Sequence, residues 1–333
     1  MKKTVTPKTL QLLCALLVWQ ITMASSLVRA TESRESWPQV VVSSPPLHSL
    51  VVAIMGGQGD PQLLFRQQLG HHHAALRPSQ LKWLDSADLL IWSGPQLEQP
   101  IETLINKGVI ESRHWQAMEC PGLRLLSQSG TATSHDHGHE TMGNHHEEER
   151  DHPLNSDPHF WLDIDNAACL VRELTSLLAE IDPAHVQHYR QNSHQVLQRL
   201  TALDQKLAQT FAADSRPLMA YHNSFRYLLG RYRLQVAAEL NPPHGQPPGL
   251  RQLLQFGQQL QSINPACVIA DISAPRDQLQ EWLAETDATL LLLDPMGGDR
   301  PAGEELYFQL LENLSEQIMA CASIRASGLS ASE

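Results

Sequence analysis

Three histidines stand where an imidazole would be presented to a ligand: His72 in Leu69-Gly70-His71-His72-His73-Ala74-Ala75-Leu76-Arg77-Pro78-Ser79, His159 in Asp157-Pro158-His159-Phe160-Trp161-Leu162, and His222 in Leu218-Met219-Ala220-Tyr221-His222-Asn223. Each follows a run that reads as a strand or precedes one that reads as a helix, and open α/β sheets gather ligands beyond the carboxyl ends of their strands. Neutral imidazoles suit zinc, whereas hard oxygen donors suit manganese. A lone histidine in such a place is more often a hydrogen-bonded structural residue, so the three carry weight only together. His222 and Asp294 are the better-placed pair, because each directly follows an apolar run, Pro217 to Tyr221 and Thr289 to Leu293. Both would project from neighbouring strand ends into one crevice. Asp294 reads equally well as the start of the turn Pro295-Met296-Gly297-Gly298, and the sequence leaves that choice open.

Six further histidines, His135, His137, His139, His145, His146 and His152, are interleaved with Glu140, Glu147, Glu148 and Glu149. They lie in residues 127–156, a stretch of Ser, Thr, Gly, His and acids that cannot bury a core and reads as a mobile loop. His-rich tracts favour metal, so the loop is expected to act as a secondary capture arm. Three histidines with an open fourth position are also the pattern of a catalytic zinc site, which makes a zinc hydrolase the rival from another class. No HExxH motif supports it: His139-Glu140 is followed by Thr141, Met142 and Gly143. A G-x-S-x-G elbow and a deaminase signature are absent too, so the chain is not expected to be an enzyme.

The elements that must position these side chains alternate. Gln39 to Ser43 reads as a strand, and Leu47, Leu50, Val51 and Ile54 mark a helix by their steps of three and four. A helix through Leu81 to Asp85, a buried-type strand Leu89 to Trp92 and a helix Gln96 to Asn106 follow. Beyond the loop, Leu170, Leu174, Leu177 and Leu178 share a helix face; a second helix starts near Pro183 and keeps its stripe from Val196 to Phe211, roughly 40 Å of helix that would tie two halves together. The second half repeats the logic of the first: strands at Pro217 to Tyr221, Gln235 to Leu240, Cys267 to Ala270 and Thr289 to Leu293 alternate with helices, the last from Glu304 to Ile324. Short buried strands alternating with helices imply α/β domains with parallel sheets flanked by helices.

Lys2, Lys3 and Lys8 precede an apolar run, Leu10 to Met23, that ends in Val28-Arg29-Ala30, the layout of a secretory signal peptide cut after Ala30. The run is too short and too polar to span a bilayer, and no later stretch could cross one. Residues 1–30 hold four basic residues and no acid, which leaves 20 basic against 36 acidic residues and a formal charge of −16. Nucleic acid is excluded as a partner on that balance. Cys120, Cys169, Cys267 and Cys321 remain after the cut, without a C-x-x-C pair, so a cysteine zinc site is disfavoured and the oxidising compartment permits disulfides.

The runs LRPS, ADLL, SGPQLE, DPHFWLD, AYHNSF and LLLDPMGG resemble, in order and spacing from about Gln39 to Ile324, the ZnuA-like zinc-uptake substrate-binding proteins of ABC transporters. The resemblance implies a signal peptide at 1–30, an N-terminal α/β domain at 31–182, a long rigid linking helix at 183–212, a C-terminal α/β domain at 213–326 and a tail at 327–333, with the metal in the interdomain cleft. It implies His72, His159 and His222 as ligands, Asp294 or water as the fourth, and His71 as an alternative standing where relatives often carry an acid. It further implies a Cys267–Cys321 disulfide, with Cys120 and Cys169 staying reduced and buried. The role implied is a monomeric periplasmic receptor of high affinity that hands Zn2+ to an ABC permease. A zinc buffer or metallochaperone is the alternative; a manganese receptor is disfavoured because such relatives tend to carry glutamate where His222 stands.

Overall fold

Val40, Val41 and Val42 are β-branched and buried, as a strand covered on both faces requires. They form β1 (Val40–Val42) inside the first of two parallel sheets. The structure, a computed structural model, describes residues 37–66, 76–127, 156–240 and 248–323. The first sheet has the order β2-β1-β3-β4, with β2 (Gln62–Leu63), β3 (Leu89–Trp92) and β4 (His114–Gln116). The second has the order β6-β5-β7-β8, built from β5 (Leu218–Tyr221), β6 (Val236–Leu240), β7 (Cys267–Asp271) and β8 (Thr289–Leu293). All pairings between these strands are parallel, so both lobes wind the same way and each has a switch point, between β1 and β3 and between β5 and β7.

Strands β2 and β4 stand beyond those the apolar runs predict. Both are short edge strands with polar residues, so neither shows the continuous apolar run that marks a buried strand.

Helix α1 (Pro45–Met55) opens with two prolines, whose missing N–H groups fall where the first helical turn leaves them unused. It ends at Gly56, whose φ of 62° gives a left-handed cap. Its residues are buried almost all round because it packs against α4 (Ile164–Ile181), α5 (Val186–Phe211) and α9 (Leu306–Ala322). Helix α5 follows a 3-10 turn at Pro183–His185 and, at 26 residues, is roughly 39 Å long. Its buried stripe, Tyr189, Val196, Leu200, Leu203, Leu207 and Phe211, meets α1 and α4 of the first lobe and α9 of the second. The remaining helices are α2 (Pro78–Asp85), α3 (Pro95–Asn106), α6 (Arg226–Arg231), α7 (Leu250–Ile263) and α8 (Arg276–Leu283). The Cys267–Cys321 disulfide joins β7 to α9 with a Cα separation of 6.1 Å, the pairing the resemblance implied. Among the described residues no helix is long and apolar enough to cross a membrane.

The lobes are clasped at several points. Arg231, at the end of α6, grips Asp204 of α5 through Nε and Nη2, both at 2.8 Å, and reaches Asp163 and Asp165 at the start of α4. Trp161 Nε1 donates to Pro295 O at 3.0 Å, and Tyr307 Oη donates to Trp161 O at 2.6 Å.

Candidate metal centre

His159 is fixed by its own neighbour. It leads the 3-10 turn Phe160–Leu162, and its backbone N–H and ring Nδ1 both meet Asp157 Oδ1, at 3.0 and 2.8 Å. With Nδ1 donating to that carboxylate, Nε2 keeps the lone pair that a metal would use. Burial alone would push the Asp157 carboxyl up; the hydrogen bonds from His159 and the nearby Arg226 guanidinium outweigh this and hold the group below the usual carboxylate range.

Tyr227 of α6 supports the same turn from the other lobe. Its hydroxyl donates to Asp157 O and accepts from Leu126 N–H, each at 2.9 Å. Arg226 Nη1 donates to Ser127 O at 2.9 Å, beside the antiparallel bridge between Ser127 and Ser156. The second lobe therefore holds both ends of the His-rich segment.

His222 follows β5 directly and takes φ of 52°, a left-handed value uncommon outside glycine. Its N–H still donates to Leu240 O at 2.8 Å, extending the ladder to β6, while Ser224 N–H donates to its carbonyl at 2.9 Å. The ring lies 6.1 Å from that of His159, centroid to centroid, with 68° between the planes. Two imidazoles on one tetrahedral zinc, with Zn–N near 2.1 Å, would put their centroids about 5 Å apart. The two rings thus need to close by only about 1 Å.

The carboxylate beside His222 is Asp271, the last residue of β7, whose Oδ2 lies 3.8 Å from His222 Nε2. Asp271 is buried and held by Ser224 Oγ, Ser273 N–H and the Ser273 hydroxyl. His222 and Asp271 therefore flank the switch point between β5 and β7, where an α/β sheet opens a crevice. The sequence reading passed over Asp271 because it gave β7 only to Ala270; the run Cys267 to Asp271 carries the same strand-then-ligand signal that singled out His222.

Asp294 follows β8, one strand further out, and accepts from Met296 N–H at 2.8 Å and Gly298 N–H at 2.7 Å. Both of its oxygens thus accept from the turn, and β7 stands between β8 and the strand that ends at His222, so the two do not follow neighbouring strands. Asp157 was also overlooked as a partner, although an acid two residues before a histidine is a readable signal.

His71 and His72 fall in residues 67–75, outside the described residues, as do His135, His137, His139, His145, His146 and His152 in 128–155. Among the described residues, no group of three or more His, Cys, Asp or Glu is arranged to hold a metal ion. What they bring together is two imidazoles, one hydrogen-bonded to Asp157 and the other 3.8 Å from Asp271.

Residues 40–321 match the family described as ZnuA, zinc-uptake complex component A, periplasmic. The chain is 28% identical over 309 residues to the high-affinity zinc uptake system protein ZnuA of Brucella suis biovar 1 (strain 1330), covering 85% of this chain and 91% of that protein. It is 24% identical to the protein of the same name from Paracoccus denitrificans (strain Pd 1222), across 88% and 94% of the two chains. A crystal structure of a ZnuA deletion mutant with zinc bound shares the fold with a TM-score of 0.68 at 22% identity, covering 86% of this chain and 98% of that one. The FpvC binding protein of Pseudomonas aeruginosa in complex with Mn2+ superposes with a TM-score of 0.68 at 18% identity, over 85% and 97% of the chains.

Proposed function

This chain belongs to the ZnuA family of periplasmic zinc-uptake components, and on that premise we propose that it captures Zn2+ between His72, His159 and His222 and passes it to an ABC permease. A carboxylate, Asp271 or Asp294, or a water completes four-coordination. The observation that carries the reading is the facing pair His159 and His222, with ring centroids 6.1 Å apart, Asp157 bonded behind the first and Asp271 Oδ2 3.8 Å from Nε2 of the second. His72 enters from the segment between β2 and α2, and its assignment rests on the LRPS run that follows it.

The chemistry is capture and release, without bond-making in the cargo. His159 presents Nε2 because Asp157 takes the Nδ1 proton, and His222 is aimed by its left-handed backbone. Three neutral imidazoles with at most one carboxylate favour zinc over manganese. The His-rich segment serves as a weak secondary store, and export follows cleavage after Ala30.

Zinc titration of chelator-stripped protein against a competing dye tests the reading. His72→Ala, His159→Ala and His222→Ala should each abolish the tight site, while deletion of residues 133–152 should lower the zinc stoichiometry and spare it. A tight site that survives all three single variants would overturn the assignment. Rescue of growth in a zinc-uptake mutant by the intact gene separates a transport receptor from a zinc buffer.

A further inference from the structure

Cys120 and Cys169 take no part in the Cys267–Cys321 bond. Their sulfurs nevertheless face each other at 3.4 Å, across 49 residues of chain. Cys120 closes the 3-10 turn Ala117–Glu119 after β4, its N–H donating to Ala117 O at 3.1 Å. Cys169 lies in the second turn of α4. One turn earlier, the Asn166 side chain accepts the N–H of Arg124 at 2.8 Å and donates to its carbonyl at 2.9 Å, which fastens the segment after Cys120 to α4. The sulfur contact is therefore imposed by two anchored pieces of backbone. Cys169 is partly exposed, against the expectation of a buried thiol, and donates to Pro121 O at 2.8 Å; Cys120 is buried.

We propose that Cys120 and Cys169 form a second disulfide in the exported protein, closing a covalent loop around the His-rich segment and His159. From 3.4 Å the sulfurs need approach by only about 1.3 Å to reach bonding distance. The oxidant is an external disulfide, a small molecule or a protein, of the kind that oxidising compartments maintain. The partly exposed Cys169 thiolate attacks it, forming a mixed disulfide and expelling one thiolate. The Cys120 thiolate then attacks Cys169 Sγ and expels the other. Two protein thiols lose two electrons and two protons; the external disulfide takes both up as two thiols. Burial, followed by Cys169 and Glu173, pushes the Cys120 thiol up, so the second step is the slow one and quickens with rising pH.

The bond would fasten the segment leading into the His-rich stretch to the helix that follows His159. It would also silence a pair of soft sulfur ligands that could otherwise compete for zinc. The inference rests on the sulfur geometry alone and stands or falls separately from the assignment of the zinc ligands.

Peptide mapping under non-reducing conditions, on the full chain isolated from the periplasm without reductant and alkylated during unfolding, tests it, with Cys267–Cys321 as the internal reference. The expected result is a Cys120–Cys169 linked peptide beside the Cys267–Cys321 one, and its return when the reduced native chain is treated with oxidised glutathione. Full alkylation of Cys120 and Cys169 in a sample whose Cys267–Cys321 bond is complete would overturn the proposal, as would pairing of either with another cysteine.

Discussion

An imidazole ligates a metal through one nitrogen only while the proton on the other is held elsewhere, and for His159 the holder is Asp157 Oδ1 at 2.8 Å. Asp157→Ala should leave the fold intact and weaken zinc binding about 10- to 100-fold, read by dye competition; affinity within twofold of the parent would remove Asp157 from that role. His159 and His222 were legible in the sequence because histidine next to a strand or turn is a visible signal. Asp157 and Asp271 carry readable signals too, an acid two residues before a histidine and an acid ending an apolar run, but a buried aspartate is more often structural, and strand order is what brings Asp271 beside His222. Glu98 makes a separate point about buried acids. It is buried in the first lobe, where Ser93 donates to it through N–H at 2.8 Å and through its hydroxyl at 3.1 Å. Burial outweighs these bonds and pushes its carboxyl up to about 7. A folded-state pKa above the unfolded one means stability fully present below about 4.5 and lost as pH rises through about 7. Denaturant unfolding of metal-free protein should therefore show the parent losing, relative to Glu98→Gln, about 3 kcal/mol across that window. Identical pH profiles for the two proteins would place an ionised glutamate in the fold.

At the scale of elements, the short helix α6 links the two halves of the site. It begins four residues after His222, and its Tyr227 holds Asp157, whose carboxylate holds His159. Tyr227→Phe strands the Leu126 N–H and weakens the hold on the Asp157 carbonyl, and unpaired buried polar groups cost about 1–3 kcal/mol. The variant should lose that much stability in denaturant and bind zinc less tightly; unchanged values for both would show that α6 merely abuts the turn. The regular elements were readable wherever burial writes a pattern: the central strands as unbroken apolar runs, α5 as a stripe with steps of three and four. Helix α3 was also readable, with an interruption at Glu98 (φ −130°, ψ 50°) that its own proline signals. Pro100 explains that break, since its ring crowds the preceding turn. The Cys267–Cys321 bond was legible only through the resemblance, because spacing alone does not say which cysteines pair. Its reduction should lower stability by about 2–4 kcal/mol, measurable by unfolding with and without reductant.

The whole molecule is built to move little. The two sheets share one winding, and α5 packs against both lobes, Arg231 ties α6 to α4 and α5, and Trp161 bonds across to the turn that Asp294 holds. Such a frame resists a wide hinge, and the facing histidine rings need only about 1 Å of closure to share a zinc. The free energy of binding then appears as added stability rather than as a large rearrangement. At a hundredfold excess of zinc over the dissociation constant, the folded state should gain about 2.7 kcal/mol, seen as a raised melting temperature in chelator-stripped protein. Acid opposes this, because protons compete for the imidazole lone pairs, and the gain should shrink as pH falls. Small-angle scattering on the same samples should give nearly superimposable metal-free and zinc-bound profiles. A melting temperature indifferent to zinc would refute the shared site, whereas a large contraction on binding would refute the rigid frame and leave the site standing.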